Sequence, residues 1–258
     1  MQGSEKNTAE LFRELGICVL IPTYRNAQFI PEVLDSVLAE AEDVIVVNDG
    51  SPDNTDEVLA PYSDRVVVVR HDKNQGKGIA LQTGFRKAKE LGFRYAVTMD
   101  SDNQHKASDL RKFAEAVAEN PGSLVVGARC LYGKQLSQGS GFANKFSNFW
   151  FMVHTLHKLP DTQTGYRIYP LAEVADMHIF SSKYETELEM LVRCAWKGVR
   201  VSSVPINVFY PKREERVSSF RPARDFTRIS VLNTIFTFVA ILYGYPSMFV
   251  HFLMRRLT

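Results

Sequence analysis

The stretch that decides the fold is Tyr95-Ala96-Val97-Thr98-Met99-Asp100-Ser101-Asp102-Asn103-Gln104-His105. Its first five residues form an apolar run typical of a buried strand, and two carboxylates follow at once. Carboxylates two residues apart at a strand end can share one divalent cation, because Mg²⁺ and Mn²⁺ prefer oxygen ligands. The stretch therefore predicts a buried strand that opens into a metal-binding loop.

Similar strand-to-loop transitions occur on both sides of this stretch. The other apolar runs that predict strands are Ile17–Ile21, Asp43–Val47, Val66–Val69, Leu124–Gly127 and Val201–Val208, and helical spacing occupies Phe29–Ala39, Ala80–Glu90 and Tyr184–Trp196. Strands that alternate with helices predict an α/β fold, with a mostly parallel sheet and helices on both faces. Ligands of such sheets bind beyond the carboxyl ends of the strands, so we expect Asp49, Lys77, Asp100 and Asp102 to converge at one edge.

The composition is that of a folded globular protein. Of the 258 residues, 45% are hydrophobic and 23% are charged, and the net charge of +2 gives no indication of nucleic-acid binding. The cysteines Cys18, Cys130 and Cys194 lack the spacing of a zinc site and are expected to be small core residues. No apolar signal segment precedes the first strand, so we expect the catalytic part to stay in the cytoplasm.

The C-terminal segment has a different character. About 26 positions, Ile229–Met254, contain no Asp, Glu, Lys or Arg, and arginines stand on both sides of this run. Pro246 is expected to break or kink a helix there, which favours two short helices in the membrane interface over one straight span. We therefore expect a catalytic domain at 1–220 and a membrane-associated segment at 221–258, on the cytoplasmic side of the cell membrane. A buried helical hairpin in a homo-oligomer is the alternative.

Four motifs carry a resemblance to a known family. They are Ile21-Pro22-Thr23-Tyr24-Arg25-Asn26, Val47-Asn48-Asp49-Gly50-Ser51-Pro52-Asp53-Asn54-Thr55, Asn74-Gln75-Gly76-Lys77-Gly78-Ile79-Ala80 and Met99–His105. In order and spacing the chain resembles family-2 GT-A glycosyltransferases, and within them the branch of dolichyl- and polyprenyl-phosphate mannose synthases. The similarity extends from about residue 17 to about residue 210.

The resemblance implies a GT-A fold and a donor site for a UDP- or GDP-sugar. By similarity, Pro22, Tyr24 and Asp49 hold the nucleoside, although Asn48 stands where many relatives have a first Asp. Lys77 is implied to contact the donor, at a glycine-flanked helix start that favours an anion. Asp100, Asp102 and Gln104 are implied to bind Mg²⁺ or Mn²⁺ together with the diphosphate.

Later segments resemble the acceptor side of the family. Arg129 is implied to face phosphate groups, and Asp161 and Arg167 are candidates for the acceptor, with an internal Asp–Arg pair as the alternative. Arg213 and Arg216 lie in a basic loop that resembles one closing over the donor phosphates. Acidic neighbours and a missing glycine make that match partial, and a solvated charge run is the alternative.

The residues Glu185, Glu187 and Glu189 cannot all point at the donor. On a helix the first and third share a face, and Glu187 is turned away from them. Glu187 is our candidate for a general base, which a hydroxyl acceptor needs and a phosphate acceptor does not. With Asp102 and Arg129 as the other catalytic candidates, we predict inverting transfer by single displacement to a lipid-linked acceptor.

Several functions stay open at this point. Polyprenyl phosphate is the favoured acceptor, and a hydroxyl of a glycolipid or another lipid is the alternative. A nucleotide-sugar-binding regulator without catalysis and a nucleotidyltransferase are hypotheses of other classes. The first loop lacks the glycines and arginines that nucleotidyltransferases usually carry.

Overall fold

A computed structural model describes residues 6–129, 138–181, 185–209 and 222–257. The described residues contain one seven-stranded sheet. Its strands are β1 (Ile17–Thr23), β2 (Val44–Asn48), β3 (Val67–Arg70), β4 (Tyr95–Thr98), β5 (Leu124–Arg129), β6 (Arg167–Pro170) and β7 (Val201–Ile206). All six strands predicted from apolar runs are present, with bounds that move by at most two residues.

The strands lie in the order β3-β2-β1-β4-β6-β5-β7. Pairs β1–β2, β2–β3, β1–β4 and β5–β7 are parallel, and β6 runs antiparallel to both of its neighbours. The expected mostly parallel sheet is confirmed. The antiparallel strand β6 was not predicted, because a four-residue segment that ends in proline carries little periodicity of its own.

Helices cover both faces of the sheet. They are α1 (Thr8–Leu15), α2 (Ile30–Leu38), α3 (Thr55–Leu59), α4 (Lys77–Glu90), α5 (Leu110–Glu119), α6 (Gln138–Thr155), α7 (Leu171–Val174), α8 (Glu185–Trp196), α9 (Pro222–Val239) and α10 (Tyr245–Leu257). Helix α1 lies in the polar N-terminal stretch and starts at a capping box between Asn7 and Glu10. Helix α6 occupies a stretch that the sequence indicated only as irregular and aromatic-rich.

The strand side chains alternate between two apolar cores. On β1, Cys18 and Leu20 face the core formed with α4 and α8, whereas Ile17, Val19 and Ile21 face the core formed with α2 and α5. Helix α4 lies close to β1, since a Cβ at Gly84 would come within 2.2 Å of Leu20 Cδ1. The sheet is therefore buried on both faces, which fixes where its strand ends meet.

The C-terminal helices α9 and α10 pack against α6 and α8. Asn233, Phe236, Ala240 and Gly244 form their buried face, at the spacing of one helix stripe. The opposite side is exposed and apolar, with Leu242 80% and Phe249 61% exposed. By length and composition, Ser230–Met254 qualifies as a candidate membrane span, although 17% of its most apolar window is buried against the protein.

The expected break at Pro246 is replaced by a π-helical turn. Residues Ala240–Gly244 form this turn between α9 and α10, and the chain stays helical from one to the other. A π turn suits this position, because proline provides no N–H and its ring crowds the preceding turn. The prediction of two separated short helices is therefore wrong in this respect.

Candidate active site

The carboxyl ends of β2 and β4 bring the predicted polar residues to one edge of the sheet. Asp49 follows β2, Asp100 comes two residues after β4, and Lys77 is the first residue of α4. Lys77 Nζ lies 2.5 Å from Asp100 Oδ1. The convergence expected from the strand–loop alternation is therefore present in the structure.

Lys77 also joins this edge to a distant helix. Both carboxylate oxygens of Glu187, near the start of α8, lie 3.3 Å from Lys77 Nζ. The Glu187 side chain is 7% exposed, and those of Lys77 and Asp100 are 21% and 29% exposed. One ammonium group therefore bridges two carboxylates at the rim of the site, and we call these three residues the lysine cluster.

Gly165 makes room for the lysine cluster. A Cβ at this position would lie 2.7 Å from Asp100 Oδ2, 2.8 Å from Lys77 Nζ and 3.0 Å from Glu187 Oε1. The Gly165 carbonyl accepts a hydrogen bond of 2.7 Å from the Thr98 hydroxyl on β4, which holds the glycine in place. The cluster consequently requires glycine here.

The electrostatics of the cluster favour its charged form. Burial alone would lower the pKa of Lys77, but the charges of Asp100 and then Glu187 outweigh it and raise that pKa. Burial alone would raise the pKa of Asp100, but the charge of Lys77 and then that of His105 lower it. The ion pair is therefore present over the whole physiological pH range.

Asp102 has the opposite behaviour. Burial, followed by the charge of Asp100, raises the pKa of Asp102 to about 6. Its Oδ1 accepts a hydrogen bond of 3.1 Å from the backbone N–H of Gln104. Two carboxylates so close that one raises the pKa of the other form a site that a cation would stabilise.

The fit of this loop to a divalent metal rests on those two carboxylates. Within the described ranges, no group of three or more His, Cys, Asp and Glu side chains is arranged to hold a metal ion. Asp100 and Asp102 could supply two oxygen ligands, and the remaining positions of Mg²⁺ or Mn²⁺ would fall to phosphate oxygens and water. The residues present fit a metal that binds together with its substrate.

His105 closes the loop from the inside. It is 7% exposed, and its ring lies 4.8 Å from that of Tyr166, centroid to centroid. Burial lowers the pKa of His105 to about 4, so the ring is neutral at physiological pH. Its ring packing and its bridge to Val208 hold the end of the loop in place.

Asp49 is buried more deeply than we expect for a residue that contacts a nucleoside at the surface of the site. It is 3% exposed, and its carboxylate accepts hydrogen bonds from the backbone N–H groups of Gln75 and Gly76, at 2.9 and 2.8 Å. A ring nitrogen of His71 lies 2.7 Å from Asp49 Oδ1. In the structure this carboxylate therefore fixes the loop that precedes Lys77.

The first loop follows β1 and so lies between the ends of β2 and β4 at the same edge. Pro22 is buried within β1, and Tyr24 is 37% exposed, with the Arg25 guanidinium 5.3 Å from its ring centroid. Asn26 donates a hydrogen bond of 2.9 Å to Ser101 Oγ, between the two loop carboxylates. Tyr24 is thus the exposed aromatic surface of this loop, as a nucleoside contact requires.

Arg129 and Asp161 form an ion pair beside the metal loop. Arg129 Nε donates to Asp161 Oδ2 at 2.6 Å, and Nη2 donates to Oδ1 at 3.1 Å, in the fork geometry of strong Arg–carboxylate pairs. Asp161 is fully buried, and Arg129 is 21% exposed. The internal pairing offered as the alternative for Asp161 is thus observed, although its partner is Arg129 and not Arg167.

Arg167 is enclosed by the chain. It is 0% exposed, and it donates to the carbonyls of Thr162, Thr164 and Glu187 at 2.9, 2.7 and 2.6 Å and to the Tyr169 hydroxyl at 3.3 Å. A guanidinium so enclosed cannot contact an acceptor directly, which corrects the sequence-based expectation. Arg167 instead ties the loop containing Gly165 to the start of α8.

The other glutamates of α8 separate as helical geometry predicts. Glu189 is fully buried and accepts hydrogen bonds from the backbone N–H groups of Phe180 and Ser181, so it faces away from the lysine cluster. Only Glu187 of this run contacts Lys77 among the described residues. Arg213 and Arg216 lie outside the described residues.

The family comparison matches the site. The profile described as "Glycosyl transferase family 2" covers residues 18–169, which include the first loop, Asp49, Lys77 and the metal loop. The chain belongs to glycosyl transferase family 2. It is a glycosyltransferase of the GT-A fold, as the motifs implied.

Similar proteins fall in the branch named from the motifs. The polyprenol monophosphomannose synthase of Mycolicibacterium smegmatis is 30% identical over 233 residues, which cover 84% of this chain and 85% of that protein. The UDP-N-acetylglucosamine–dolichyl-phosphate N-acetylglucosaminyltransferase of Methanococcus voltae is 27% identical over 216 residues, covering 75% of this chain and 86% of that protein. The resemblance to the polyprenyl-phosphate branch is thereby confirmed.

A solved structure gives the same fold at lower identity. The glucosyl-3-phosphoglycerate synthase of Mycobacterium tuberculosis, in complex with Mn²⁺, uridine diphosphate and phosphoglyceric acid, aligns with a TM-score of 0.65 and 15% identity. The alignment covers 94% of this chain and 84% of that chain. Hence the likeness includes the sheet and extends toward the C-terminal helices.

Proposed function

We propose that this glycosyltransferase moves a sugar from a UDP- or GDP-sugar to a polyprenyl phosphate at a membrane surface. The observation that carries the proposal is the lysine cluster, next to Asp102, in a chain whose relatives are named for dolichyl, polyprenol or undecaprenyl phosphate. In these relatives the named acceptor is a lipid phosphate. The donor sugar differs among them, so the proposal leaves the sugar open.

The donor would lie across the carboxyl ends of β1, β2 and β4. Tyr24 offers an exposed ring for the nucleoside, and Lys77 offers an ammonium group for the diphosphate at the N-terminal end of α4. Asp100 and Asp102 would hold Mg²⁺ or Mn²⁺, and the metal would neutralise charge that develops on the departing nucleoside diphosphate. Arg129 is held beside this position by its ion pair with Asp161, and its positive charge would steady phosphate oxygens.

The state of Glu187 favours a phosphate acceptor. An acceptor phosphate is anionic and attacks the anomeric carbon without losing a proton, so the anomeric C–O bond to the donor diphosphate breaks as the new C–O bond forms. A hydroxyl acceptor needs a base that is open to take its proton. Glu187 is buried and shares Lys77 with Asp100, so its charge is engaged in holding the lysine.

The C-terminal helices support attachment in the plane of the membrane. Contacts with the catalytic part run from Asn233 to Ser247, which donates a hydrogen bond of 2.7 Å to the Trp196 carbonyl, and on to His251 beside Gly198. At 1.5 Å per residue this contact extends about 27 Å, close to the thickness of a bilayer core.

A helix that crossed the membrane upright would therefore draw part of the catalytic domain into the lipid. The adjoining part of α8 carries Arg193, and Lys197 follows directly. Charged groups are costly in the hydrocarbon core. An orientation along the surface instead places the exposed apolar side, including Leu242 and Phe249, in the lipid and leaves α8 outside. The arginines before and after the segment would meet anionic headgroups on the cytoplasmic side.

A lipid-labelling assay tests the proposed reaction. Purified protein is incubated with Mn²⁺ or Mg²⁺, labelled UDP- and GDP-sugars, and vesicles that contain polyprenyl phosphate. We expect label in the organic phase that mild acid releases, and we expect the Asp102→Asn variant to lose it. Asp64→Asn, which alters an exposed carboxylate before the start of β3, at the opposite edge of the sheet from the cluster, is the matched control.

Each other outcome rejects a defined part of the proposal. In a parallel assay, a bacterial lipid extract replaces the vesicles. Acid-stable label in that extract would indicate a hydroxyl acceptor and require a base such as Glu187. Nucleotide binding without turnover would favour a regulator, and release of pyrophosphate would favour a nucleotidyltransferase. Label that survives Asp102→Asn unchanged would reject metal-dependent transfer.

A further inference from the structure

A buried chain of hydrogen bonds lies behind the donor edge. His71 follows β3 directly and is 8% exposed. Its Nδ1 lies 2.7 Å from Asp49 Oδ1, and its Nε2 lies 3.0 Å from the Thr83 hydroxyl on α4. The imidazole ring of His71 thus links two other side chains, Asp49 after β2 and Thr83 on α4. The four motifs of the family resemblance do not include His71.

The far end of this chain is the loop that leads into Lys77. Asp49 accepts from the N–H groups of Gln75 and Gly76, which immediately precede the lysine. Gly76 has φ +100°, a conformation that residues with a side chain rarely adopt. The carboxylate therefore holds two adjacent N–H groups in an arrangement that the loop would not favour by itself.

The position of Asp49 depends in turn on His71. A buried carboxylate needs several donors, and within the described part of the chain the imidazole is the only side chain that donates to Asp49. The backbone N–H of His71 donates to the Asn48 carbonyl at 2.9 Å, which fixes the residue beside the end of β2. With Asp49 ionised, Nδ1 carries the proton, and the Thr83 hydroxyl fixes the ring orientation through Nε2.

We infer that His71 is a positioning residue for the donor diphosphate. It holds Asp49, Asp49 holds the Gln75–Gly76 backbone, and that backbone places Lys77 where it meets the donor. Lys77 Nζ has to lie within hydrogen-bond reach of Asp100 on one side and a phosphate on the other, so a small shift of the loop removes the contact. The inference rests on the donor role proposed for Lys77.

Two substitutions distinguish the contribution of the Nδ1 contact with Asp49 from that of the Nε2 contact with Thr83. His71→Asn keeps an N–H donor near the position of Nδ1 and so keeps the bond to Asp49. His71→Gln carries its amide toward the position of Nε2, which keeps the contact with Thr83 and loses Asp49. The measurements are the Kd for UDP and GDP with Mn²⁺ by calorimetry, the donor KM and kcat, and the thermal midpoint of each variant.

We expect His71→Asn to bind the nucleotide within about twofold of the wild type. We expect His71→Gln to weaken nucleotide binding about tenfold, which corresponds to the loss of one hydrogen bond to a charged group. The donor KM should rise accordingly, with little change in kcat. Thr83→Val keeps the side-chain volume, and its nucleotide affinity is expected to lie between those of the two His71 variants. Equal nucleotide affinity in the Asn and Gln variants, whether strong or weak, would overturn the inference.

Hydrogen exchange provides a readout that does not depend on turnover. In the full-length protein in detergent, the amides of residues 74–77 are expected to exchange faster in His71→Gln than in His71→Asn at equal thermal midpoints. Equal exchange in the two variants would also overturn the inference. If the wild type binds neither UDP nor GDP, the proposed function fails, and the exchange comparison alone then decides whether His71 holds the loop.

Discussion

The side of the site that we propose binds the donor (the donor side) and the side that we propose faces the acceptor (the acceptor side) are each held by one buried charged residue, and the two residues have opposite charges. On the donor side, the carboxylate of Asp49 accepts hydrogen bonds from two backbone N–H groups. On the acceptor side, the guanidinium of Arg167 donates to three backbone carbonyls. A carboxylate collects donors and a guanidinium collects acceptors, so each ion can fix a loop that lacks regular secondary structure.

The two ions differ in how far they reach. Asp49 binds a single short loop and is itself held by a hydrogen bond with His71. Arg167 binds both ends of a larger assembly, the 162–164 loop and the start of α8. The difference indicates that the donor side is built from local turns, whereas the acceptor side depends on contacts between segments far apart in the chain.

The largest effect is expected for Arg167→Met. The substitution removes four buried hydrogen bonds, three of them to backbone carbonyls, which should lower the free energy of unfolding by about 3–5 kcal/mol. Urea unfolding of the purified protein measures it, and Arg86→Met on the exposed side of α4 is the control. A loss below about 1 kcal/mol would mean that the acceptor side does not depend on this ion.

Gly165→Ala tests the point where the two sides meet. The new methyl group would contact Asp100, Lys77 and Glu187 at 3.0 Å or less, so the cluster has to spread. Because displacements of about 1 Å can cost about 100-fold in rate, we expect kcat/KM to fall by about that factor while the thermal midpoint changes little. Activity within about threefold of the wild type would show that the cluster tolerates this displacement.

Gly84→Ala tests the packing that supports the donor side. Its Cβ would come within 2.2 Å of Leu20 Cδ1, so α4 has to move away from β1 at a cost of about 1–3 kcal/mol. Urea unfolding of this variant and of Gly141→Ala provides the comparison, since a Cβ at helical Gly141 has no atom within 4 Å. Equal stability of the two variants would contradict the close α4–β1 packing.

The pH dependence of metal binding tests the donor side through a smaller change, the protonation of one carboxylate. Because the raised pKa of Asp102 is about 6, its carboxylate becomes protonated as the pH falls through that value, and protons then compete with the metal. Below that pKa we expect the affinity for Mn²⁺ in the presence of UDP to fall about tenfold per pH unit, and above it to level off. Calorimetric titration measures this dependence, and Asp102→Asn should abolish it.

The smallest effect on stability is expected on the exposed apolar side of the C-terminal helices, which we propose faces lipid. Leu242→Ser alters a residue that is 80% exposed, so the free energy of unfolding should change by about 0.5 kcal/mol or less. Binding to anionic vesicles should nevertheless weaken severalfold, as a flotation assay measures. Leu91→Ser, an exposed leucine just after α4, is the control, and equal binding of both variants would argue against lipid contact by α9 and α10.

The donor side could be predicted from the sequence to a large extent because its information is local. Each apolar run between Ile17 and Met99 ends directly in the polar residues that line the site, and parallel pairing then brings those ends together. His71 was missed, since a single histidine after a strand carries no signal until its distant partner is known.

The acceptor side could be predicted only in part. Glu187 was separated from its neighbours by helical geometry alone, and the structure agrees with that separation. The burial of Arg167 depends on β6 entering the sheet in an antiparallel direction, which only long-range pairing decides. The path of the C-terminal helices likewise depends on small residues such as Gly244 that accept an aromatic ring from α8.

The contact between α8 and the C-terminal helices has a spectroscopic consequence. The chain has two tryptophans, and Trp196 lies in this contact, with its indole directly against Gly244. Trp150, on α6, stacks on His154, whose ring nitrogen bonds the Asn233 carbonyl. Tryptophan fluorescence should therefore respond to the seating of the C-terminal helices, so the unlabelled native protein carries its own optical probe of that junction.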